Sequence, residues 1–187
     1  MFLHPQSIRT KTKTHSIDEK MVQPNTIDLR LEKVSKIEPS LFTIDETQKT
    51  HRNIVAPKRQ SSVVRAGMAQ HGDKETMHTH TAGDDDYWYL EKGCCYEFVA
   101  NQYIEMAEGE LAIIIGRSTF NRNGVLILSS IYDSGFKDFI GATCYNIAGD
   151  TKVRKGTRFA HLIIGSAETL NMYDGDSVSY THLRAHE

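Results

Sequence analysis

A chain of 187 residues is long enough for one domain of ordinary size and short for two. Its composition, 39% hydrophobic and 25% charged, excludes wholesale disorder and a fibrous architecture, and its 22 basic and 24 acidic side chains show no concentrated basic face of the kind that binds nucleic acid. No apolar run approaches the roughly 18 residues of a membrane-spanning helix, and residues 1–20 lack the apolar stretch of a secretory signal. We therefore expect a cytoplasmic protein whose partners include neither membranes nor nucleic acid.

Short β-type runs dominate the chain after residue 86, whereas all four prolines lie in the first third. In chain order the runs are DYWYL, CYEFV, QYIEM, ELAIII, VLILSSI, FIGATCYNI and FAHLIIG, separated by turn residues. Repeated short strands at close spacing predict a sandwich, jelly roll or barrel. Helical signals are confined to residues 118–123, with Ser118 as the predicted N-cap and Gly124 as the stop.

A cluster of histidines raises the question of a metal site. His71, His78 and His80 precede the acidic residues 84–86. On a strand, His78 and His80 would lie on the same side, as pairs of metal ligands often do. No third ligand stands at a defined spacing, so we favour a solvated loop over a structural or catalytic metal site.

The segment GRSTFNRNG follows the apolar run ELAIII. Gly116 offers an unhindered backbone, Arg117 a fork of guanidinium donors and Ser118 a hydroxyl, while Arg122 returns a second cation about one helical turn later. That combination suits a polyphosphate. The alternative is an ordinary turn whose surface arginines pair with carboxylates.

Two later segments carry further polar groups. In SSIYDSGFKDFIG, Asp133 ends an apolar strand just before a tight turn, where a carboxylate can hold a water; alternatively it is an Asx-type turn residue followed by a core aromatic, Phe136. In KVRKGTRFAHLIIG, Lys155 and Gly156 predict a hairpin-like turn. His161 follows in a mostly apolar row, where a satisfied core histidine is the alternative to a ligand.

Taken together, the segments resemble the superfamily of dUTPases and dCTP deaminases over most of residues 21–176. QPNTIDLRL resembles the N-terminal motif of the deaminase branch, GRS with Arg122 its phosphate motif, YDSGF its third motif, and KGTRFAHLI its fourth. The resemblance implies an all-β, distorted jelly-roll or β-barrel-like fold with one short helix, assembled as a homotrimer. It also implies residues 1–20 as an N-terminal arm before the domain.

The resemblance implies roles for individual residues. Asp133 is the catalytic carboxylate that activates water, and Asp28 organises the water shell of Mg²⁺ without direct coordination. Phe136 packs on the deoxyribose, and the backbone of residues 129–131 reads the uracil edge. The implied substrate-binding residues are Arg117, Ser118, Arg122, Ser129, Ser130, Ile131, Tyr132, Phe136, Thr143 and His161. His161 stands where the family commonly has glutamine.

One departure decides the expected activity. The deaminase branch has a glutamate ten residues after the third-motif aspartate, where this chain has Thr143. Threonine does not titrate near neutrality and cannot shuttle protons as a carboxylate does. We therefore expect hydrolysis of dUTP to dUMP and diphosphate, with Mg²⁺ as cofactor. The alternatives are a dCTP deaminase or a bifunctional enzyme, and an inactive nucleotide-binding regulatory trimer.

Residues 177–187, SVSYTHLRAHE, depart from the pattern of the family. The segment resembles translated sequencing-adapter read-through, and we expect it to be artefactual or non-native. The family tail that closes over the nucleotide would then be missing, which would weaken the exclusion of water and lower turnover.

Overall fold

The computed structural model describes residues 10–13, 21–44, 52–57, 87–168 and 173. Within these ranges the chain is built of strands and one short helix. The strands are β1 (Lys11–Lys13), β2 (Ile27–Ile37), β3 (Ile54–Val55), β4 (Tyr87–Leu90), β5 (Cys95–Glu105), β6 (Glu110–Gly116), β7 (Val125–Ile127), β8 (Ile131–Tyr132), β9 (Lys137–Asn146), β10 (Thr151–Arg154) and β11 (Arg158–Ser166), and the helix is α1 (Ser118–Arg122).

The main sheet is antiparallel throughout and has the strand order β7-β9-β5-β2-β11-β6-β8, with β1 added to β5 and β3 added to β2. A separate ladder joins β4 to β10. The sheet curls into a half-barrel. The predicted all-β fold with one short helix is therefore confirmed.

The core lies on one face of this curled sheet, since buried and partly exposed residues alternate along the strands. In β9, for example, every second residue from Asp138 to Asn146 is buried. This period of two is the pattern of a sheet with one face packed. The largest fully buried side chains include Tyr96, Phe98 and Phe159, and the Phe98 ring packs edge-to-face on Phe159 at 5.6 Å.

The strand boundaries differ from the predicted runs in two places. CYEFV and QYIEM form the single strand β5, whose pairing with β9 shifts register between Val99 and Tyr103. Such a shift marks a bulge, which bends a strand without ending it. VLILSSI instead divides into β7 and β8, because the chain leaves β9 after Ile127 and pairs next with β6.

Helix α1 has nearly the predicted length but a different cap. Arg117 occupies the N-cap position, no side chain caps the helix, and Ser118 is already helical, so the predicted Ser118 cap is wrong. The helix is held by packing instead, since the buried Phe120 ring lies 6.3 Å from that of Phe98. Gly124, with φ of +74°, ends the segment as predicted.

The predicted hairpin at Lys155 and Gly156 is also wrong. The turn is present, with Gly156 at φ of +76°, but the strands on either side of it do not pair with each other. The turn is bound to β2 instead: Gly156 N–H donates to Leu31 O at 2.7 Å, and Leu31 N–H donates to Thr157 O at 3.0 Å. With the turn bound to β2, β10 pairs with β4, and β11 pairs with β2 on one side and β6 on the other.

Several predictions fall outside the described residues: the metal-site alternative at His71, His78, His80 and residues 84–86, the tail at 177–187, and most of the arm at 1–20. The described part of that arm is residues 10–13, of which Lys11–Lys13 form β1 and pair with β5. In the described part of the chain, no helix is both long and apolar enough to cross a membrane.

Candidate functional site

A buried carboxylate forms the centre of the candidate site. Asp28 on β2 has no solvent exposure. Arg117 Nη1 and His161 Nδ1 lie 2.7 and 2.8 Å from its Oδ1, and Arg158 Nη1 lies 2.9 Å from its Oδ2. Gln23 Nε2 adds a longer hydrogen bond of 3.4 Å to Oδ2. Both carboxylate oxygens are therefore engaged by cationic or polar donors.

Strand pairing explains why three distant segments of sequence meet there. On β11, His161 is the cross-strand partner of Asp28. The other side of β11 pairs with β6, which ends at Gly116 opposite Ala160. Arg117 follows directly, and its N–H donates to Phe159 O at 3.0 Å. The first, second and fourth sequence motifs thus converge because β11 lies between β2 and β6.

Arg158 also contacts Asp28, although it was not among the residues predicted to bind substrate. It reaches Asp28 because the register between β11 and β2 shifts between Arg158 and Ala160. Its side chain is 42% exposed, against 25% for Arg117. The sequence signal was its position in KGTRFAHL, three residues before His161, but a bulge is not readable from that spacing.

The site carries more positive than negative charge. Two guanidinium groups surround one carboxylate, and each guanidinium has five N–H donors, of which Asp28 uses a small part. His161 Nδ1 lies 2.8 Å from Asp28 Oδ1 and 3.5 Å from Thr26 Oγ1, which leaves Nε2 as the ring nitrogen that can face a ligand. The arrangement is suited to binding an anion.

Gly116 is required by packing at the end of β6. A Cβ built there would lie 2.8 Å from the Cβ of Ile127. The glycine of the GRS motif therefore lets β6 and β7 approach closely, and this approach fixes where Arg117 leaves the strand. Ser118 and Arg122, the other predicted phosphate ligands, are exposed at the two ends of α1.

The predicted catalytic carboxylate lies elsewhere. Asp133 is exposed in the turn after β8, and its carbonyl accepts the Phe136 N–H at 3.0 Å. Because Ala112 pairs with Tyr132, the same register places Asp133 opposite Leu111. Arg117 is six residues farther along (117 − 111), so the backbone positions of the two residues are roughly 20 Å apart along the strand at about 3.3 Å per residue. One chain does not bring Asp133 to Arg117.

Two aromatic residues of the third motif are core residues. Tyr132 is 6% exposed and its hydroxyl donates to Gly141 O, so its side chain does not face a ligand. Phe136 is 8% exposed, with its ring centroid 4.9 Å from that of Tyr132 and 5.8 Å from that of Tyr173. The turn is fixed by Ser134 Oγ, which donates to Glu110 O at 2.7 Å.

The predicted base-reading segment lies beside Thr143. Leu128 N–H donates to Thr143 O at 2.8 Å, and Ser130 O accepts the Ile114 N–H at 3.1 Å. Ser129 and Ile131 are exposed. Two of the three residues of this segment are therefore accessible, while Ser130 is half-buried and its carbonyl is bound to β6.

One acidic residue was missed by sequence reasoning. Glu97 on β5 is the cross-strand partner of Thr143, and both are partly buried. Burial raises the pKa of the Glu97 carboxyl, and the nearby charge of Lys33 opposes that shift. Only the pairing of β5 with β9 reveals this relation, because the two residues are 46 positions apart (143 − 97).

The residues around Asp28 do not fit a divalent cation. Two guanidinium groups and the imidazole of His161 already engage both carboxylate oxygens, so the contacts do not favour the water-mediated magnesium role predicted for Asp28. Across the described ranges, no group of three or more histidine, cysteine, aspartate and glutamate side chains could hold a metal ion.

The chain is similar to known proteins in both sequence and fold. Residues 3–166 match the family described as dCTP deaminase-like. A dCTP deaminase of Metallosphaera sedula is 30% identical over 95 residues, covering 46% of this chain and 54% of that protein. A probable deoxyuridine 5'-triphosphate nucleotidohydrolase of Halobacterium salinarum is 24% identical over 169 residues, covering 90% of this chain and 87% of that protein.

The match to the dCTP deaminases of Metallosphaera sedula and Saccharolobus solfataricus is partial, since the chain spans about half of their length. A crystal structure of the dCTP deaminase from Agrobacterium tumefaciens shares the fold, with a TM-score of 0.54 and 14% identity over 83% of this chain and 42% of that one. The fold and the family expected from the sequence motifs are therefore confirmed. The chain belongs to the dCTP deaminase-like family.

Proposed function

We propose that the protein hydrolyses dUTP to dUMP and diphosphate. The observation that supports this most directly is the convergence of Arg117, Arg158 and His161 on the buried carboxylate of Asp28. A nucleoside triphosphate carries about four negative charges, and its phosphorus atoms accept a nucleophile only when cations disperse that charge. The two guanidinium groups would do so along the phosphate chain.

In this proposal Asp28 is a positioning residue. It accepts one Nη1 hydrogen bond from each arginine and fixes the direction of both guanidinium planes. The remaining N–H donors of Arg117 are then oriented before the substrate arrives. Pre-orientation lowers the entropy lost on binding, and Ser118 and Arg122 would add contacts from α1.

In this proposal Mg²⁺ is bound to the phosphates of the substrate and not to a site made by the protein. Mg²⁺ keeps several waters and is often bound chiefly by phosphate oxygens with few protein ligands. It would arrive with the triphosphate and disperse further charge. The cationic surroundings of Asp28 would attract the phosphates themselves.

Asp133 would orient and deprotonate the water that attacks the α-phosphorus, with diphosphate leaving on the opposite side. Since one chain holds Asp133 and Arg117 at opposite ends of β6, the complete site needs Asp133 from a second copy. A homotrimer with shared sites would supply it. The exposed residues Ile115, Leu128 and Ile131 offer apolar surface for such contacts.

Selection of the nucleotide would depend on the same region. Residues 129–131, of which Ser129 and Ile131 are exposed, would read the edge of uracil. Phe136 would exclude a ribose 2′-hydroxyl by its bulk, once Tyr173 moves from the face of its ring.

The test is diphosphate release from dUTP by wild type and by Asp133→Asn. We expect the variant to lose at least about 10²-fold in turnover, because the water loses its general base, while it still binds dUTP. Glu108→Gln, which removes another exposed carboxylate near the same end of β6, serves as the matched control and should keep full turnover. Normal turnover by Asp133→Asn would overturn the mechanism, and nucleotide binding without diphosphate release by wild type would favour the inactive regulatory trimer.

A further inference from the structure

Thr10, in the N-terminal arm, is bound to a buried carboxyl group at the start of β6. Thr10 is 7% exposed, and Glu110 is 2% exposed. The N–H of Thr10 donates to Glu110 Oε2 at 2.9 Å, and the hydroxyl of Thr10 donates to the same oxygen. Burying a carboxyl group costs free energy unless it is hydrogen-bonded. These two donors therefore fix the Glu110 side chain in the interior, and they tie the arm to β6.

The Thr10 hydroxyl also joins the two ends of the turn between β5 and β6. It accepts the N–H of Ala107 at 3.2 Å while it donates to Glu110. Within the turn, Glu110 N–H donates to Ala107 O at 3.1 Å. One side chain of the arm thus holds the first and the last residue of this four-residue turn.

The same turn supports the residues that directly follow Asp133. Three hydrogen bonds make this connection: Ser134 Oγ to Glu110 O at 2.7 Å, Gly135 N–H to Met106 O at 3.1 Å, and Met106 N–H to Phe136 O at 2.8 Å. Ser134 is 5% exposed, whereas Asp133 is exposed. The place of the Asp133 carboxylate therefore depends on where these bonds hold the backbone beside it.

We propose that Thr10 is a positioning residue for the hydrolysis of dUTP, and that it acts on Asp133 through Glu110 and Ser134. The inference rests on the proposed function, in which Asp133 is the general base. A general base must lie within about 2.6–3.2 Å of the proton that it removes, and a displacement of about 1 Å can lower a rate about 10²-fold. The N-terminal arm then sets the rate of turnover although Thr10 touches no substrate.

The effect should fall on turnover more than on the affinity for dUTP. Arg117, which we assign to the phosphates, lies at the other end of β6 from Asp133. The Asp28 cluster that orients Arg117 is built on β2 and β11. A shift of the turn after β8 therefore leaves the cationic groups in place.

Thr10→Val tests the inference, because valine has nearly the shape of threonine and lacks the hydroxyl. We expect kcat for diphosphate release from dUTP to fall at least about tenfold, while the Kd of a non-hydrolysable dUTP analogue changes by less than about threefold. Thr10→Ser keeps a hydroxyl and should return kcat to within about threefold of wild type. Thr151→Val is the matched control, since it removes a half-buried hydroxyl that donates to Gly149 O at 2.9 Å, and it should keep full kcat.

A second background separates positioning from a general loss of stability. In Asp133→Asn the general base is already absent, so adding Thr10→Val should lower the residual diphosphate release by less than about twofold. Ser134→Ala removes the next hydrogen bond in the same connection and should also lower kcat at nearly constant affinity. This variant decides the question if Thr10→Val does not fold. Thermal unfolding of each variant gives the folded fraction under the assay conditions.

The outcomes distinguish the inference from the proposed function. Unchanged kcat in Thr10→Val, or an equal loss in the Asp133→Asn background, overturns the role of Thr10 and leaves the hydrolysis standing. A loss of kcat that only follows the unfolded fraction overturns it as well, because the role of Thr10 is then structural. No diphosphate release by wild type overturns the hydrolysis and the inference together.

Discussion

At the scale of single residues, the site depends on a carboxylate that is removed from water and neutralised by its neighbours. Asp28 is fully buried, whereas its partners Arg117 and Arg158 remain partly exposed. An unpaired carboxylate at that depth would be strongly unfavourable, so the arginines stabilise it while it orients them. The orientation of the two arginines and the stability of the fold therefore depend on the same carboxylate.

Asp28→Asn tests this coupling. Removing the charge leaves two guanidinium groups facing a neutral amide, and we expect a loss of about 3 kcal/mol in unfolding free energy, the lower end for a broken buried pair because the arginines are partly exposed. The affinity for dUTP should fall with it. Glu32→Gln, which breaks the half-exposed pair between Glu32 and Lys155, should cost less than about 1 kcal/mol in the same urea titration. Equal losses would show that the Asp28 cluster has no special role.

Glu97 makes a second prediction at this scale. Because its pKa is raised in the folded protein above the ordinary 4.5, the folded state holds the proton more tightly than the unfolded state. Its ionisation therefore costs stability as the pH rises above 4.5 and through the folded-state pKa. Glu97→Gln removes that cost, so the variant should gain stability over wild type at about pH 8 relative to about pH 5.

Urea unfolding at fixed protein concentration measures this difference at both pH values. A stability difference that does not change with pH would show that the Glu97 carboxyl is not held in a raised-pKa environment. A difference of the opposite sign would mean that the ionised carboxylate is stabilised by a partner.

At the scale of elements, β6 is the connection between the two parts of the proposed site. One of its ends leads into Arg117, and the other pairs toward Asp133. Its close approach to β7 depends on Gly116. The direction in which Arg117 leaves the sheet is therefore fixed by packing as well as by hydrogen bonds.

Gly116→Ala should destabilise the protein. The added Cβ would lie 2.8 Å from the Cβ of Ile127, an atom on a strand that cannot turn aside, so the cost should be about 1–3 kcal/mol, as for overpacked cores. Gly149→Ala is the matched control, since an added Cβ there meets nothing within 4 Å. Thermal unfolding of both variants measures the difference, and similar melting temperatures would contradict the packing argument.

At the scale of the whole molecule, the distance between Asp133 and Arg117 in one chain predicts complementation between copies. Arg117→Ala and Asp133→Asn should each be inactive alone. Mixed after unfolding and refolding together, they should recover about one quarter of wild-type diphosphate release, because a random mixture gives one site in four both intact groups. Light scattering should show a trimer. A monomer, or no recovery on mixing, would contradict the shared site.

The sequence by itself determined the strand-rich fold, the single short helix, and the order of the motifs that carry Asp28, Arg117, Asp133 and His161. These are local properties, since strand periodicity, glycine stops and short motifs are legible within a few residues. Tertiary structure decided that Asp28 holds Arg117 and Arg158, that Asp133 lies at the other end of β6, and that Glu97 faces Thr143. Strand register and bulges set those relations, and they arise from pairing between segments far apart in the chain.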